Sequence, residues 1–283
     1  ANVLYHLYFL HQQHERIYYV CPKLAVDLSH TELNVDTHFL KAPFPEIYIQ
    51  VDPGLYFIAD ATGEHPVRGF YVNLREEGEV KLIRIMAAAL KTPFSNLSTK
   101  NDDALFYFRI ALGPGKVNDQ LQKYIDGAKA AGNEQELKAF GGYHNMEHIK
   151  ELFLFVFNVL LYITSKDADI LKQLPMNFNE KINRLKSRAK INKLLQRQSK
   201  SSNLPILVIG SKVTSDYPIE KVKSSGGVGK WKLSGKVYVS GYWRIQWYGS
   251  KETRRSDLIF IKPYEKGPEM SEMISRHYQV GVS

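Results

Sequence analysis

Short apolar segments separated by polar turns dominate the first 112 residues of the chain. Aromatic and β-branched residues concentrate in five segments, and Gly, Pro, Asn or Asp stand between them. The segments are 46–51, 54–59, 67–74, 80–90 and 104–112. This pattern predicts β-strands, and a spacing of roughly 10 to 20 residues predicts a curled antiparallel sheet. The first thirty-odd residues, rich in His and Tyr, leave room for one or two more strands.

The residues that follow this β region show helical periodicity. Apolar residues at positions 117, 121, 125 and 128 predict a helix over 117–131, which ends at the "AAGN" stretch. A second helix is predicted from about His144 to Thr164, and a short third one over 167–174, before Pro175. The longest apolar run, 152–163, contains Asn158 and is shorter than the roughly 20 residues that span a bilayer. We therefore expect a buried core helix and no membrane segment.

The segment 179–202 combines an apolar helical stripe with eight positive charges, against which stands Glu180 alone. A solvated helix face would explain these charges, but such a face usually carries a balanced mixture of both signs, not a run of one sign. Contact with phosphates is the reading we favour. The candidate contacts are Arg184, Arg188 and Lys193.

The stretch "VYVSGYWRIQWYG", residues 237–249, alternates as a strand of a β-hairpin. Alternation predicts one face with Tyr242, Arg244 and Tyr248, and an opposite, core-facing set at positions 237, 239, 241, 243, 245 and 247. A bulge at Gly241 would exchange the faces beyond it and expose the two tryptophans. The first face joins aromatic rings with a cation, as sheet-based binders of single strands do. The following turn adds Arg254 and Arg255.

These elements indicate an α+β protein. We expect a mainly antiparallel β region with one helix over residues 1–140, and a central helical layer over 141–200 that ends in the basic helix. A small basic β-hairpin module is expected over 201–283, after a "SKSSN" linker.

Charge separates the two ends of the chain. The net charge is +9, yet residues 181–283 contain 21 Lys and Arg and 7 Asp and Glu, a net of +14. Residues 1–180 contain the other 17 Lys and Arg and 22 Asp and Glu, a net of −5. Such asymmetry suggests an anionic partner for the basic part, most often nucleic acid. The alternatives are an acidic protein partner, or a solubilising or intramolecular role.

His144, Glu147 and His148 follow the order of an inverted zinc-peptidase motif when they lie on a helix. Such a site needs a third protein ligand, and nothing in the sequence chooses among Glu180, Glu220 and His277. Because the motif follows two glycines at the start of a helix, capping or surface polarity is the favoured reading. We expect no cofactor and no metal, with His144 and His148 as the candidates if one is bound.

Two further features, a glycine-rich loop and a single cysteine, do not predict a phosphate-binding loop or a nucleophilic thiol. The glycine-rich loop "SGGVGK", residues 225–230, lacks the first glycine of a phosphate-binding loop and has Trp231 where Ser or Thr should follow. The lone Cys21 fits a cytoplasmic protein, since a single cysteine forms no internal disulfide. We expect it to be a small buried hydrophobe rather than a nucleophile.

The spacing of Gly241 to Arg244, Gln246, Tyr248-Gly249, Arg254-Arg255, Pro263 and Gly267 resembles a C-terminal segment of uncharacterised proteins from bacterial mobile elements and phages. In those proteins a His often stands where this chain has Tyr242. The resemblance implies a phage, plasmid or defence setting and implies no reaction.

Together these patterns predict a protein that binds RNA or single-stranded DNA through the hairpin face and the basic helix. Two alternatives stay open. One is an enzyme, either a toxin-like nuclease or transferase or a zinc hydrolase at His144. The other is a protein-interaction component of a phage or defence assembly.

Overall fold

The computed structural model describes residues 17–60, 63–90, 103–130, 146–173, 187–190, 192–193, 206–213, 237–250 and 253–266. Three helices with defined bounds, further helical residues at 188–190 and 192–193, and thirteen strands within these ranges make an α+β fold, as predicted. The helices are α1 (Pro22–Ser29), α2 (Val117–Ala130) and α3 (Met146–Thr164). A 3-10 turn covers Thr37–Phe39.

The strands divide between one large sheet and two small ones. The large sheet contains β1 (Ile17–Val20), β3 (Glu46–Gln50), β4 (Phe57–Asp60), β5 (Gly63–Glu77), β6 (Val80–Leu90), β7 (Asp103–Leu112), β8 (Ile170–Gln173) and β9 (Ile206–Ile209). The small sheets contain β2 (Thr31–Glu32), β10 (Val237–Val239), β11 (Gly241–Tyr248), β12 (Arg255–Ile261) and β13 (Tyr264–Lys266).

The order of the large sheet is β7-β6-β5-β3-β1-β9-β8, with β4 paired to β5. Neighbours from β3 to β7 are antiparallel, which confirms the antiparallel sheet predicted for this region. In contrast, β1 runs parallel to both β3 and β9. Strands that lie far apart in sequence, β8 and β9, therefore extend the sheet formed by the first 112 residues. The division into three regions stays a prediction.

Local periodicity located most of the elements to within a few residues, with two differences. The helix α1 was not anticipated; Pro22 suits the first helical position because that position needs no amide hydrogen. The short helix predicted over 167–174 is wrong, because this segment contains strand β8. Its residues pair antiparallel with β9, from Ile170 opposite Ile209 to Gln173 opposite Ile206. Pairing at the sheet edge outweighs the local helical pattern.

The core lies between the large sheet and helix α3. Apolar side chains of α3 are buried along its length, and Phe153 meets Phe108 of β7 edge to face, with ring centroids 5.1 Å apart. Helix α1 also packs against α3. The prediction of a buried core helix is therefore confirmed. None of the helices within the described ranges has the length and apolarity to cross a membrane.

One polar residue lies inside this apolar core. Asn158 of α3 is 1% exposed, and its Nδ2 donates to the backbone oxygens of Leu28 (3.1 Å) and Thr31 (3.0 Å). Its Oδ1 accepts a hydrogen bond of 2.8 Å from Trp243 Nε1. Since buried polar groups need partners, this amide fixes the end of α1, the strand β2 and the strand β11 against α3.

Replacement of Asn158 by Leu tests this junction. The apolar side chain leaves the Trp243 Nε1 group and two carbonyl oxygens without their partner, so we expect a loss of about 3 kcal/mol in the free energy of unfolding. Urea denaturation followed by circular dichroism measures the loss. A variant as stable as the parent chain would show that the three hydrogen bonds contribute nothing net.

Candidate nucleic-acid interface

The hairpin of β11 and β12 is held to the core at its base. Trp243 is 7% exposed, and its ring lies 5.1 Å from that of Phe260, the residue directly opposite on β12. Phe260 in turn meets Tyr162 of α3 edge to face at 5.9 Å. These three rings and the Asn158 hydrogen bond seat this end of the hairpin on α3.

Gly241 attaches the hairpin to β2. Its amide donates to His30 O at 3.1 Å, and β11 pairs in parallel with β2 through Gly241 opposite Thr31. A Cβ at this position would lie 2.5 Å from Thr31 Oγ1 and 3.0 Å from Pro263 Cδ. The close approach of the two strands therefore requires glycine.

Tyr242 and Arg244 emerge on the solvent side of β11, and both are exposed. Tyr248, the third residue predicted for this face, is half-buried because the Lys166 ammonium lies 5.0 Å from its ring centre. Lys166 also stands 3.7 Å from Asp257 Oδ2. The sequence carried no signal for Lys166, which reaches the hairpin from the segment that follows α3.

The second face of β11 differs from its prediction beyond Trp243. Gly241 and Trp243 are buried as expected, but Ile245 is 36% exposed and Trp247 is 51% exposed. The prediction that Ile245 and Trp247 belong to the core is wrong. Leu258 and Phe260 of β12 pack against the core, whereas Ile245 and Trp247 of β11 stay exposed to solvent.

Arg254 covers the exposed Trp247 ring. Its guanidinium carbon lies 4.6 Å from the ring centre, within the range of a cation–π contact. Arg255 pairs opposite Tyr248 and is exposed. Within the described residues, Arg244, Arg254 and Arg255 form no ion pair, whereas the nearby Asp257 carboxylate already faces Lys166. We call Tyr242, Arg244, Trp247, Arg254 and Arg255 the hairpin surface.

The basic helix is described only in part. Residues 188–190 and 192–193 have helical backbone, and Arg188 and Lys193 are exposed. Arg184 lies outside the described residues. The contribution of Arg184, Arg188 and Lys193 to binding therefore stays a prediction.

The described part of the zinc motif consists of His148, an exposed residue whose Nδ1 lies 3.4 Å from Glu151 Oε2. His144 and the side chain of Glu147 lie outside the described residues, as do the suggested third ligands and the loop 225–230. Among the residues that the structure does describe, no group of three His, Cys, Asp or Glu side chains is arranged to hold a metal ion.

Cys21 is half-buried between strand β1 and helix α1. Burial raises the pKa of its thiol, and the negative charges of Asp169 and Asp52 raise it further. Because the thiolate is the reactive form, this environment suppresses nucleophilic chemistry.

Comparison with known proteins gives one family. The profile of the AcrVA2-like family, described as an anti-CRISPR type V subtype A2 family, matches residues 18–264. A solved structure titled "Crystal structure of AcrVA2" aligns over 88% of this chain and 70% of its own, at 13% identity and a TM-score of 0.43. No curated protein matches the chain.

Replacement of Gly241 by Ala tests how the hairpin is held. The added methyl group would crowd Thr31 and Pro263, so we expect a loss of about 1–3 kcal/mol in the free energy of unfolding. The matched control is Gly127→Ala on helix α2, where the methyl group meets no atom within 4 Å; it should gain up to about 1 kcal/mol from helix propensity. Equal effects of the two substitutions in urea denaturation would contradict this account.

Alkylation of Cys21 by iodoacetamide tests its environment. Since the folded pKa is raised, the thiolate forms at higher pH in the native chain than in the unfolded chain. We expect the midpoint of the rate against pH to lie higher for native protein than for protein in urea. A native midpoint at or below the unfolded one would contradict the raised pKa.

Proposed function

From the premise that the chain belongs to the AcrVA2-like anti-CRISPR family, we propose that it acts against a type V CRISPR system by binding single-stranded nucleic acid through the hairpin surface. The family membership agrees with the phage and defence setting inferred from the sequence. The mode of binding rests on the chemistry of the hairpin.

The observation that carries the proposal is the Arg254 guanidinium over the exposed ring of Trp247. Arg244 and Arg255 are exposed on the same hairpin and form no ion pair within the described residues. Exposed aromatic rings and guanidinium planes stack on bases, and arginines also contact phosphates. The net charge of +14 over residues 181–283, the part of the sequence that contains the hairpin, favours association with a polyanion.

A single strand suits this surface better than a duplex. Stacking on Trp247 or Tyr242 requires a base that is free of its neighbours, and bases of a duplex are already stacked. β11 contains eight residues, a length of about 24 Å. A surface of this length accommodates a few nucleotides of an extended strand.

CRISPR systems contain single strands of this kind. CRISPR effector complexes read their targets by base pairing with a guide RNA, and they also hold a displaced single strand of DNA. A protein that occupies unpaired nucleotides at these stages would oppose recognition without chemistry of its own.

A protein partner is the second candidate, and the exposure of Ile245 and Trp247 favours it. Aromatic residues and Arg are enriched at the centre of protein interfaces. An acidic surface on the partner would complement the arginines equally well.

Binding of a mixed-sequence 12-nucleotide RNA, measured by fluorescence anisotropy over a salt series, tests the proposal. Trp247→Ala should weaken binding about tenfold, because stacking contributes about 1–3 kcal/mol per base. Arg244→Ala with Arg254→Ala should weaken binding and reduce the slope of log affinity against log salt by about 1.4, since each lost phosphate contact removes about 0.7.

The matched control removes two exposed arginines of the large sheet, Arg68 and Arg109, by substitution with Ala. It should leave the affinity within about twofold of the parent value, since neither residue belongs to the hairpin surface. If the control lowers affinity as much as the hairpin variant does, binding is a general effect of charge. If the parent chain binds no RNA but binds an effector protein freed of RNA, the protein partner is correct instead.

A further inference from the structure

A cleft of about 640 Å³ lies beside the base of the hairpin. One wall is the end of α1 with β2 and the residues after it, 29–34. The opposite side contains Asn118 and Asp119 from the first turn of α2, and Lys150 and Leu154 from α3. Ser240, which precedes β11, closes the side next to the hairpin.

Several polar side chains in this cleft are available to a ligand. In the part of the chain that the structure describes, Glu32, Asn34, Asn118 and Asp119 are exposed and make no side-chain hydrogen bond. Lys150 donates one hydrogen bond, 2.6 Å long, to Gln122 Oε1, and an ammonium group has three protons to donate. The cleft therefore offers amides, carboxylates and a cation around the apolar side chains of Leu33 and Leu154.

The cleft is continuous with the hairpin surface. Tyr242 pairs in register with Glu32, so a strand lying over Tyr242 would pass the opening of the cleft. Tyr238 meets the ring of His30, which lines the cleft, edge to face at a centroid distance of 6.3 Å. The hydrogen bond from Gly241 N to His30 O holds the two parts together.

We propose that this cleft receives one unpaired base of the bound strand and selects bases that carry an exocyclic amino group. The inference rests on the proposed binding of single strands. The volume falls within the range of small-ligand sites. The carboxylates of Glu32 and Asp119 accept hydrogen bonds but, when ionised, donate none. Adenine and cytosine present an amino group with two N–H donors to such acceptors, whereas uracil presents a single N3–H donor flanked by two carbonyl oxygens that the carboxylates repel.

The same carboxylates determine which part of a nucleotide enters. Two negative charges repel a phosphate, so the base enters and the backbone stays at the opening. Lys150 can compensate a phosphate there, while Leu154 packs against the face of the base. The amides of Asn34 and Asn118 both donate and accept, so they can match the remaining groups on the base edge.

Three 12-nucleotide RNAs of one base each, oligo(A), oligo(C) and oligo(U), provide the test by fluorescence anisotropy at one salt concentration. The parent chain should bind oligo(A) and oligo(C) about tenfold more tightly than oligo(U), which corresponds to one good base contact. Glu32→Gln with Asp119→Asn should reduce this preference to about twofold or less. Asn34→Ala with Asn118→Ala is a second variant that should also reduce it.

The control Glu79→Gln removes a carboxylate from the exposed turn between β5 and β6 and should keep the parent preference. The hairpin variant Arg244→Ala with Arg254→Ala should weaken the binding of all three RNAs by a similar factor. If both cleft variants keep the parent preference, or if the parent has none, the cleft assignment is wrong. In that case the hairpin effect still supports the proposed function. If the parent chain binds none of the three RNAs, both proposals fail.

Discussion

The side-chain amide of Asn158 is the contact on which the arrangement of the whole molecule depends. A helix as apolar as α3 would pack equally well in several rotations and offsets, because apolar contacts have no preferred direction. One buried amide removes that freedom, since its donors must meet Leu28 O and Thr31 O while its acceptor meets Trp243 Nε1. The hydrogen-bond geometry of Asn158 and the ring packing of Trp243 and Phe260 against Tyr162 together set the position of the hairpin against α3.

This constraint explains why the hairpin changes character along its length. At its base, Trp243 and Phe260 belong to the core, and Gly241 permits close pairing with β2. A few residues further on, Trp247 has the same strand parity as Trp243 but faces solvent and is covered by Arg254. A rigid base with an exposed tip suits a binding surface, because the side chains that meet the partner are positioned by others that do not move.

Sequence periodicity was sufficient for elements whose partners are their neighbours along the chain. The strands from 46 to 112 and the helices α2 and α3 followed from it, because hairpin neighbours bury alternate residues and helices bury one stripe. It failed where the outcome depends on distant segments: β8 forms on β9, and Trp247 is exposed although Trp243, of the same strand parity, is buried. Asn158 was visible as a polar residue in an apolar run, yet its three partners lie 130, 127 and 85 positions away.

The unpaired arginines among the described residues of the hairpin fit the proposed binding of an anionic partner. Arg244, Arg254 and Arg255 form no ion pair within the described residues, and Trp247 is 51% exposed. Apart from the contact between Arg254 and the Trp247 ring, these side chains therefore contribute little to stability. The proposed partner, a single strand of nucleic acid, would supply both the negative charge and the planar rings that such a surface can contact.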